Sequence, residues 1–253
     1  MTANNIIISK TIIYEIPQVT YELNDGKKKP LLFFFHGFTG NKDMLMGRGE
    51  ILAEMGFYVV AIDAHFHGDR MPDWFGKLDG SEKYKHIIDI SIKTANDANK
   101  LWDSYYSKQK NISEQKFYVY GVSMGAMIAF KLSTITEKIK AMVTLVGSPS
   151  FVDYYLARQE KFGWEDDFVE EKIKKYKPID PLINYKKTNN TNMFIALGKD
   201  DDVVDPFYAL EFYNKRPENT TLKLYDTGHM STKEMLEDSY NYLKKHSKTR
   251  NKS

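Results

Sequence analysis

Residues 117–134 read FYVYGVSMGAMIAFKLST. Residues 117–120 are apolar and β-favouring, which predicts a strand, and residues 124–134 have the composition of a helix. Between them stands Gly121-Val122-Ser123-Met124-Gly125. Such a Gly-x-Ser-x-Gly pentamer arises by chance about once in twenty chains of this Gly and Ser content, so the pattern alone is weak. Its position on a strand-to-helix junction is what gives it meaning. A turn that sharp leaves no room for bulky neighbours, so the glycines permit close chain approach while Ser123 projects from the sheet edge. The helix starting at Met124 aims its free N–H groups and its positive dipole end at the same spot. The alternative is a glycine-bounded turn holding an ordinary serine.

Outward from this junction, strand-like and helix-like segments alternate. Leu31–Phe35 is an unbroken apolar run after Pro30, as expected of a strand buried on both faces. Residues 57–62, 141–146, 194–197 and 222–225 read as further strands, and residues 6–9, 12–16 and 19–23 as an opening set of short ones. Helices are expected over residues 44–55, ending at Gly56, over about 81–107, from about 206, and over about 231–245. This order predicts an α/β fold with a mostly parallel twisted sheet and helices on both faces, in a single domain over residues 1–253. Residues 150–185 lack a convincing strand and are expected to form a small helical lid insertion over the sheet, or else a long helical crossover. The lysine- and glutamate-rich run at residues 159–177 reads as a solvated helix face, and the basic tail at 244–253 is expected to fray.

Composition narrows the function. The 253 residues are 42% hydrophobic, 14% aromatic and 28% charged, as in an ordinary globular domain. With no cysteine, a disulfide scaffold, a thiolate metal site and a cysteine nucleophile are excluded. Thirty-six basic against 34 acidic residues leave a net charge of +2 and no footprint for nucleic acid. Apolar runs such as Leu31–Phe35 fall far short of the ~20 residues that span a bilayer, so no membrane association is expected. The first ten residues lack a secretory pattern, which makes a cytoplasmic location the expectation and the sequons at Asn111, Asn189 and Asn219 accidental. Oligomeric state is not legible.

A serine nucleophile needs a base, and the base an orienting carboxylate. The strand at 194–197 runs into Gly198-Lys199-Asp200-Asp201-Asp202-Val203-Val204, and the strand at 222–225 into Asp226-Thr227-Gly228-His229. Both are C-terminal strand edges, where ligands gather in open α/β sheets. Of the six histidines, only His229 follows the acid candidates on a post-strand turn, since His246 lies in the tail. Earlier, His36-Gly37-Phe38-Thr39-Gly40 closes a buried strand. There the Phe38 N–H is a candidate oxyanion donor, with the Met124 N–H as the second, and His36 is assigned a structural role.

Together HGFTG (36–40), GVSMG (121–125), GKDDDVV (198–204) and DTGHM (226–230) resemble the α/β-hydrolase superfamily across most of the chain. Within it the chain resembles small bacterial serine esterases akin to dienelactone hydrolases and the catalytic domain of prolyl oligopeptidases. In those relatives a Gly-x-x-Asp-x-x-Val pattern supplies the acid; laid on Gly198, it selects Asp201, with Val204 as its partner. The usual proline after that valine is displaced, because Asp205 precedes Pro206, and this keeps Asp202 open as the acid. Asp200 and Asp205 read as turn and cap residues. The chain departs from dienelactone hydrolases in having no cysteine nucleophile, and from prolyl oligopeptidases in having no length for a propeller. The resemblance implies a carboxylesterase-type serine hydrolase, working without cofactor or metal on small, soluble, uncharged or weakly charged esters. A peptidase or acyl-aminoacyl hydrolase, a thioesterase and a non-catalytic binding module are the alternatives.

Two further features border the expected site. Asp63-Ala64-His65-Phe66-His67-Gly68-Asp69-Arg70 contains a His-x-His that could hint at metal. No second ligand group is evident, so the loop is expected to be a pocket wall stiffened by Asp, Arg and His hydrogen bonds. Among the aromatic residues near the expected roof, Trp74, Phe151 and Tyr155 are candidates for the substrate pocket, with Phe75, Tyr154 and Trp164 close by.

Overall fold

The computed structural model describes residues 5–188 and 190–247. Its eight strands are β1 (Ile6–Ile13), β2 (Ile16–Leu23), β3 (Leu31–Phe35), β4 (Tyr58–Ile62), β5 (Phe117–Val122), β6 (Ile139–Leu145), β7 (Asn192–Gly198) and β8 (Thr220–Tyr225). They form one sheet in the order β1-β2-β4-β3-β5-β6-β7-β8. β1 pairs antiparallel with β2 and β2 antiparallel with β4, and every pairing from β4 to β8 is parallel.

The helices are α1 (Arg48–Glu54), α2 (Asp73–Gly76), α3 (Gly80–Tyr84), α4 (Ile87–Ser104), α5 (Met124–Ser133), α6 (Val152–Phe162), α7 (Asp166–Tyr176), α8 (Phe207–Lys215) and α9 (Lys233–Ser247). Every residue of β3 is buried, which is why its sequence does not alternate. Phe33 and Phe35 enter a core with α4, α5 and α8, while Leu32 and Phe34 enter a second core with Leu52 and Ala53 of α1 and Met235 and Leu243 of α9. The sheet therefore carries a packed layer on each face, and its C-terminal strand ends emerge between the layers.

Three local differences from the sequence reading have physical causes. The opening strands are two rather than three, joined at Tyr14-Glu15, whose φ angles of +52° and +64° make a tight hairpin without the usual glycine signal. The helix expected from residue 44 begins only at Arg48, because Met46 and Gly47 both have positive φ. The stretch expected as one helix over 81–107 breaks between Tyr84 and Ile87; Asp79 caps α3 by accepting the Glu82 N–H at 2.9 Å. At the other end, α9 carries the basic tail in helical form to Ser247. Residues 248–253 of that tail and the sequon at Asn189 lie outside the described residues.

Between β6 and β7 the described chain holds α6, α7 and short 3₁₀ turns. Buried Asp180 ties the two ends of this segment together. Its carboxylate accepts the N–H groups of Phe151 (2.7 Å) and Val152 (3.0 Å) on one side, and of Leu182 (2.8 Å) and Ile183 (3.1 Å) on the other. No helix among the described residues is long and apolar enough to cross a membrane.

Candidate active site

The junction of β5 and α5 is closed by steric necessity. A Cβ on Gly121 would lie 2.2 Å from the Gly125 carbonyl oxygen, and one on Gly125 would lie 2.1 Å from the carbonyl oxygen of Phe35. Both distances are far inside van der Waals contact, so only glycine fits. Ser123 between them takes φ +55° and ψ −117°, a conformation that L-residues rarely adopt. Its N–H donates to the Leu145 carbonyl at 2.9 Å, which pins the strained residue to β6.

The loops after β7 and β8 come equally close. A Cβ on Gly198 would sit 2.3 Å from the Gly228 carbonyl oxygen, and the Asp200 N–H donates to the Thr227 carbonyl at 3.1 Å. This brings His229 and Asp201 together. His229 Nδ1 lies 2.8 and 3.1 Å from the two Asp201 oxygens, and His229 Nε2 lies 2.8 Å from Ser123 Oγ. With Nδ1–H donated to the carboxylate, Nε2 is the acceptor for the serine hydroxyl. Asp201 is 7% exposed and also accepts the N–H groups of Val203 (3.0 Å) and Val204 (2.8 Å), whereas Asp202 faces solvent. Of the two candidate acids, Asp201 is the one in contact with the histidine.

The loop after β3 is anchored from below. His36 Nε2 accepts the Ala64 N–H at 3.1 Å and Nδ1 donates to the Gly37 carbonyl at 2.7 Å, so its two ring nitrogens link the β3 and β4 loops. Burial pushes its pKa down to about 4, against the pull of the Gly37 hydrogen bond. His67 spans the carbonyls of Phe38 and His65. Asp63 accepts the N–H groups of Lys42 (2.8 Å) and Asp69 (2.9 Å), and Lys42 Nζ bridges Asp63 and Asp69. Arg70 bonds His65 at 2.7 Å and pairs with Asp97 at 2.8 Å. His65 and His67 are thus both engaged in hydrogen bonds that stiffen the loop beneath Phe38.

Ser123, Met124, His229 and Phe38 line a cavity of about 360 Å³, with apolar walls from Ile87 and Met127. Val146 adds to the wall at φ +47°, a conformation rare for a β-branched residue, and its N–H is held by the Ala196 carbonyl at 2.9 Å. The three aromatic candidates for the pocket do not line it. Trp74 is 48% exposed and packs against Phe66, Phe75 and His86 at the surface. Phe151 is fully buried where α6 begins, and Tyr155 is buried against Trp164 and Tyr176 with its hydroxyl bonded to the Lys85 carbonyl at 3.3 Å. Their places are taken by Tyr84, Tyr154 and Arg158. Tyr154 and Arg158 stand four residues apart on one face of α6, a spacing visible in the sequence. Tyr84 reaches the cavity only because the helix breaks just after it.

The family model described as the prolyl oligopeptidase family matches residues 45–250. The chain belongs to the prolyl oligopeptidase family. This member is 28% identical over 203 residues to "Putative esterase YitV" of Bacillus subtilis (strain 168), with 78% of each chain covered. It is 22% identical over 229 residues to "Esterase YjfP" of Escherichia coli (strain K12), covering 86% of this chain and 89% of that one. Among solved structures it superposes on TT1662 from Thermus thermophilus with a TM-score of 0.74 at 16% identity, over 97% of this chain and 100% of the other. The architecture of this prolyl oligopeptidase family member is the α/β-hydrolase fold.

Proposed function

We propose that the protein is a carboxylesterase-type serine hydrolase that cleaves small carboxylic esters through an acyl-enzyme. The observation that carries this is the hydrogen-bonded relay from Asp201 through His229 to Ser123 Oγ, opening on a small, largely apolar cavity. The esterase names of the two curated relatives support it.

His229 Nε2 takes the Ser123 proton as Oγ attacks the ester carbonyl. Asp201 holds the ring in the right tautomer and stabilises the imidazolium that forms. Met124 is the first residue of α5, and the opening N–H groups of a helix have no intrahelical acceptor. Its N–H and that of Phe38 bind the oxyanion, each donor contributing about 3–4 kcal/mol. The imidazolium returns its proton to the departing alcohol. A water activated by His229 then splits acyl-Ser123 and releases the acid. With Tyr154 on the cavity wall, α6 and α7 serve as a small lid over this chemistry.

Hydrolysis of p-nitrophenyl acetate, butyrate, octanoate and palmitate by wild type and Ser123→Ala tests the proposal. Turnover of the short esters by wild type, absent in the variant, is the expected result. Activity that survives Ser123→Ala would overturn it, as would failure of a fluorophosphonate to label the wild-type serine.

A further inference from the structure

Arg158 is the one permanently charged side chain among the described residues that line the Ser123 cavity. It is 6% exposed. Its Nη2 donates to the Val203 carbonyl at 2.8 Å, in the same loop as Asp201. The guanidinium is in cation–π contact with two rings, 5.3 Å from the centre of Tyr84 and 5.2 Å from that of Tyr154. Nε is buried without a hydrogen-bond partner. No carboxylate among the described residues forms an ion pair with it within 4.0 Å. Asp153 and Asp205 border the adjoining hollow, but Asp153 accepts the Ser150 hydroxyl at 2.6 Å and Asp205 the Phe207 N–H at 2.8 Å.

A buried cation without a counter-ion is costly, and structures that keep one give it a partner. Cation–π contact from two tyrosines holds the guanidinium in position but neutralises nothing. Arg158 lines a cavity whose other described walls carry no carboxylate. We propose that Arg158 binds a free carboxylate of the substrate, so that the esters cleaved at Ser123 are those carrying a second, unesterified acid group, such as hemiesters of short dicarboxylic acids. The planar fork of donors matches a carboxylate, and a single guanidinium balances one negative charge rather than the two of a phosphate monoester. A cavity of about 360 Å³ limits the linker to a few carbons. The inference rests on the ester-hydrolase reading and names its substrate class.

Two isosteric pairs test it, one with the charge on the acyl arm and one with it on the alcohol arm. They are p-nitrophenyl hydrogen glutarate against its neutral terminal amide, and 3-carboxyphenyl butyrate against 3-carbamoylphenyl butyrate. Wild type is expected to favour the carboxylate member of at least one pair by about ten- to a hundredfold in kcat/KM, the range of a hydrogen bond to a charged partner. Arg158→Met brings that ratio to about one, mainly through KM, and Arg158→Lys keeps part of it. The Lys variant also serves where the Met variant does not fold. A ratio near one for wild type in both pairs, or a preference that survives Arg158→Met, overturns the proposal while leaving an ester hydrolase intact. Calorimetric titration of glutarate into Ser123→Ala reads the site without turnover: binding lost in the double variant with Arg158→Met supports it, and no binding overturns it. Failure of the ester-hydrolase reading is seen separately, as absent fluorophosphonate labelling of wild type.

Discussion

At the sheet edge, Gly121, Gly125 and Gly198 are pressed against main-chain oxygens so closely that no other residue fits. In the helical roof, by contrast, α6 is held by side chains. The Tyr154 hydroxyl donates to the Tyr84 carbonyl at 2.8 Å, Asp180 gathers four backbone N–H groups, and Phe38 and Phe162 both stack with the Tyr84 ring, at 5.0 and 5.4 Å. The residues proposed to cleave the ester are positioned by the main chain, which tolerates no drift. The cavity-lining groups proposed to meet the substrate are positioned by contacts that can be exchanged without unmaking the fold. Such a division lets one scaffold keep its chemistry while the roof changes what it admits.

The largest effect expected from this division is at the acid. Asp201→Asn leaves the His229 ring with an amide partner that stabilises the wrong tautomer, and kcat/KM on p-nitrophenyl butyrate should fall about 10⁴-fold. Asp202→Asn, at an exposed neighbour, should stay within about twofold of wild type. Equal losses in the two variants would mean that the contact between Asp201 and His229 is not what the acid loop supplies.

Gly125→Ala comes next and reports on stability. Its methyl group would have to displace the main chain of Phe35, so a loss of about 4 kcal/mol in denaturant unfolding is expected, with no repair by repacking. A loss under about 1 kcal/mol would show that the junction yields as readily as the roof, and the comparison would fail.

The same division explains which features were legible from residues alone. Ser123, Asp201 and His229 each stand on a short turn after a parallel strand, and such turns are written in local glycines and chain order. The pocket was not legible in the same way. Phe151 and Tyr155 look like Tyr154 in composition, and what separates them is which side of the α6 segment meets Tyr84, a contact spanning 70 residues, while Trp74 stands exposed on α2. The break that frees Tyr84 has no proline or glycine to announce it. The hairpin at Tyr14-Glu15 was hidden for a related reason, since its positive φ angles are imposed by strand pairing on residues that do not favour them.

A third expectation concerns pH at the sheet edge. The unfolded chain binds a proton at His36 near its ordinary value of 6.5, whereas in the folded protein burial holds the group neutral down to about 4. The resulting stability is complete above pH 6.5 and is lost progressively as pH falls toward 4, by roughly 3 kcal/mol. Urea midpoints measured between pH 7 and 4 should show this slope, and His36→Gln should flatten it while lowering the plateau. A slope that His36→Gln leaves unchanged would assign the acid sensitivity to other groups, such as His67, which burial also holds below its usual range.

The smallest effect lies in the roof. Tyr154→Phe removes one hydroxyl that bonds the Tyr84 carbonyl and leaves the ring against Arg158 in place. A net loss of about 1 kcal/mol in unfolding free energy is expected, the usual worth of one intramolecular hydrogen bond. Its more telling consequence is local. With that bond gone, α6 opens from Tyr84 more often than the sheet unfolds, so amide exchange should quicken over α6 while β5 and α5 keep their protection. If exchange rose equally in β5, roof and sheet edge would unfold as one unit, and the freedom ascribed to the roof would have to be given up.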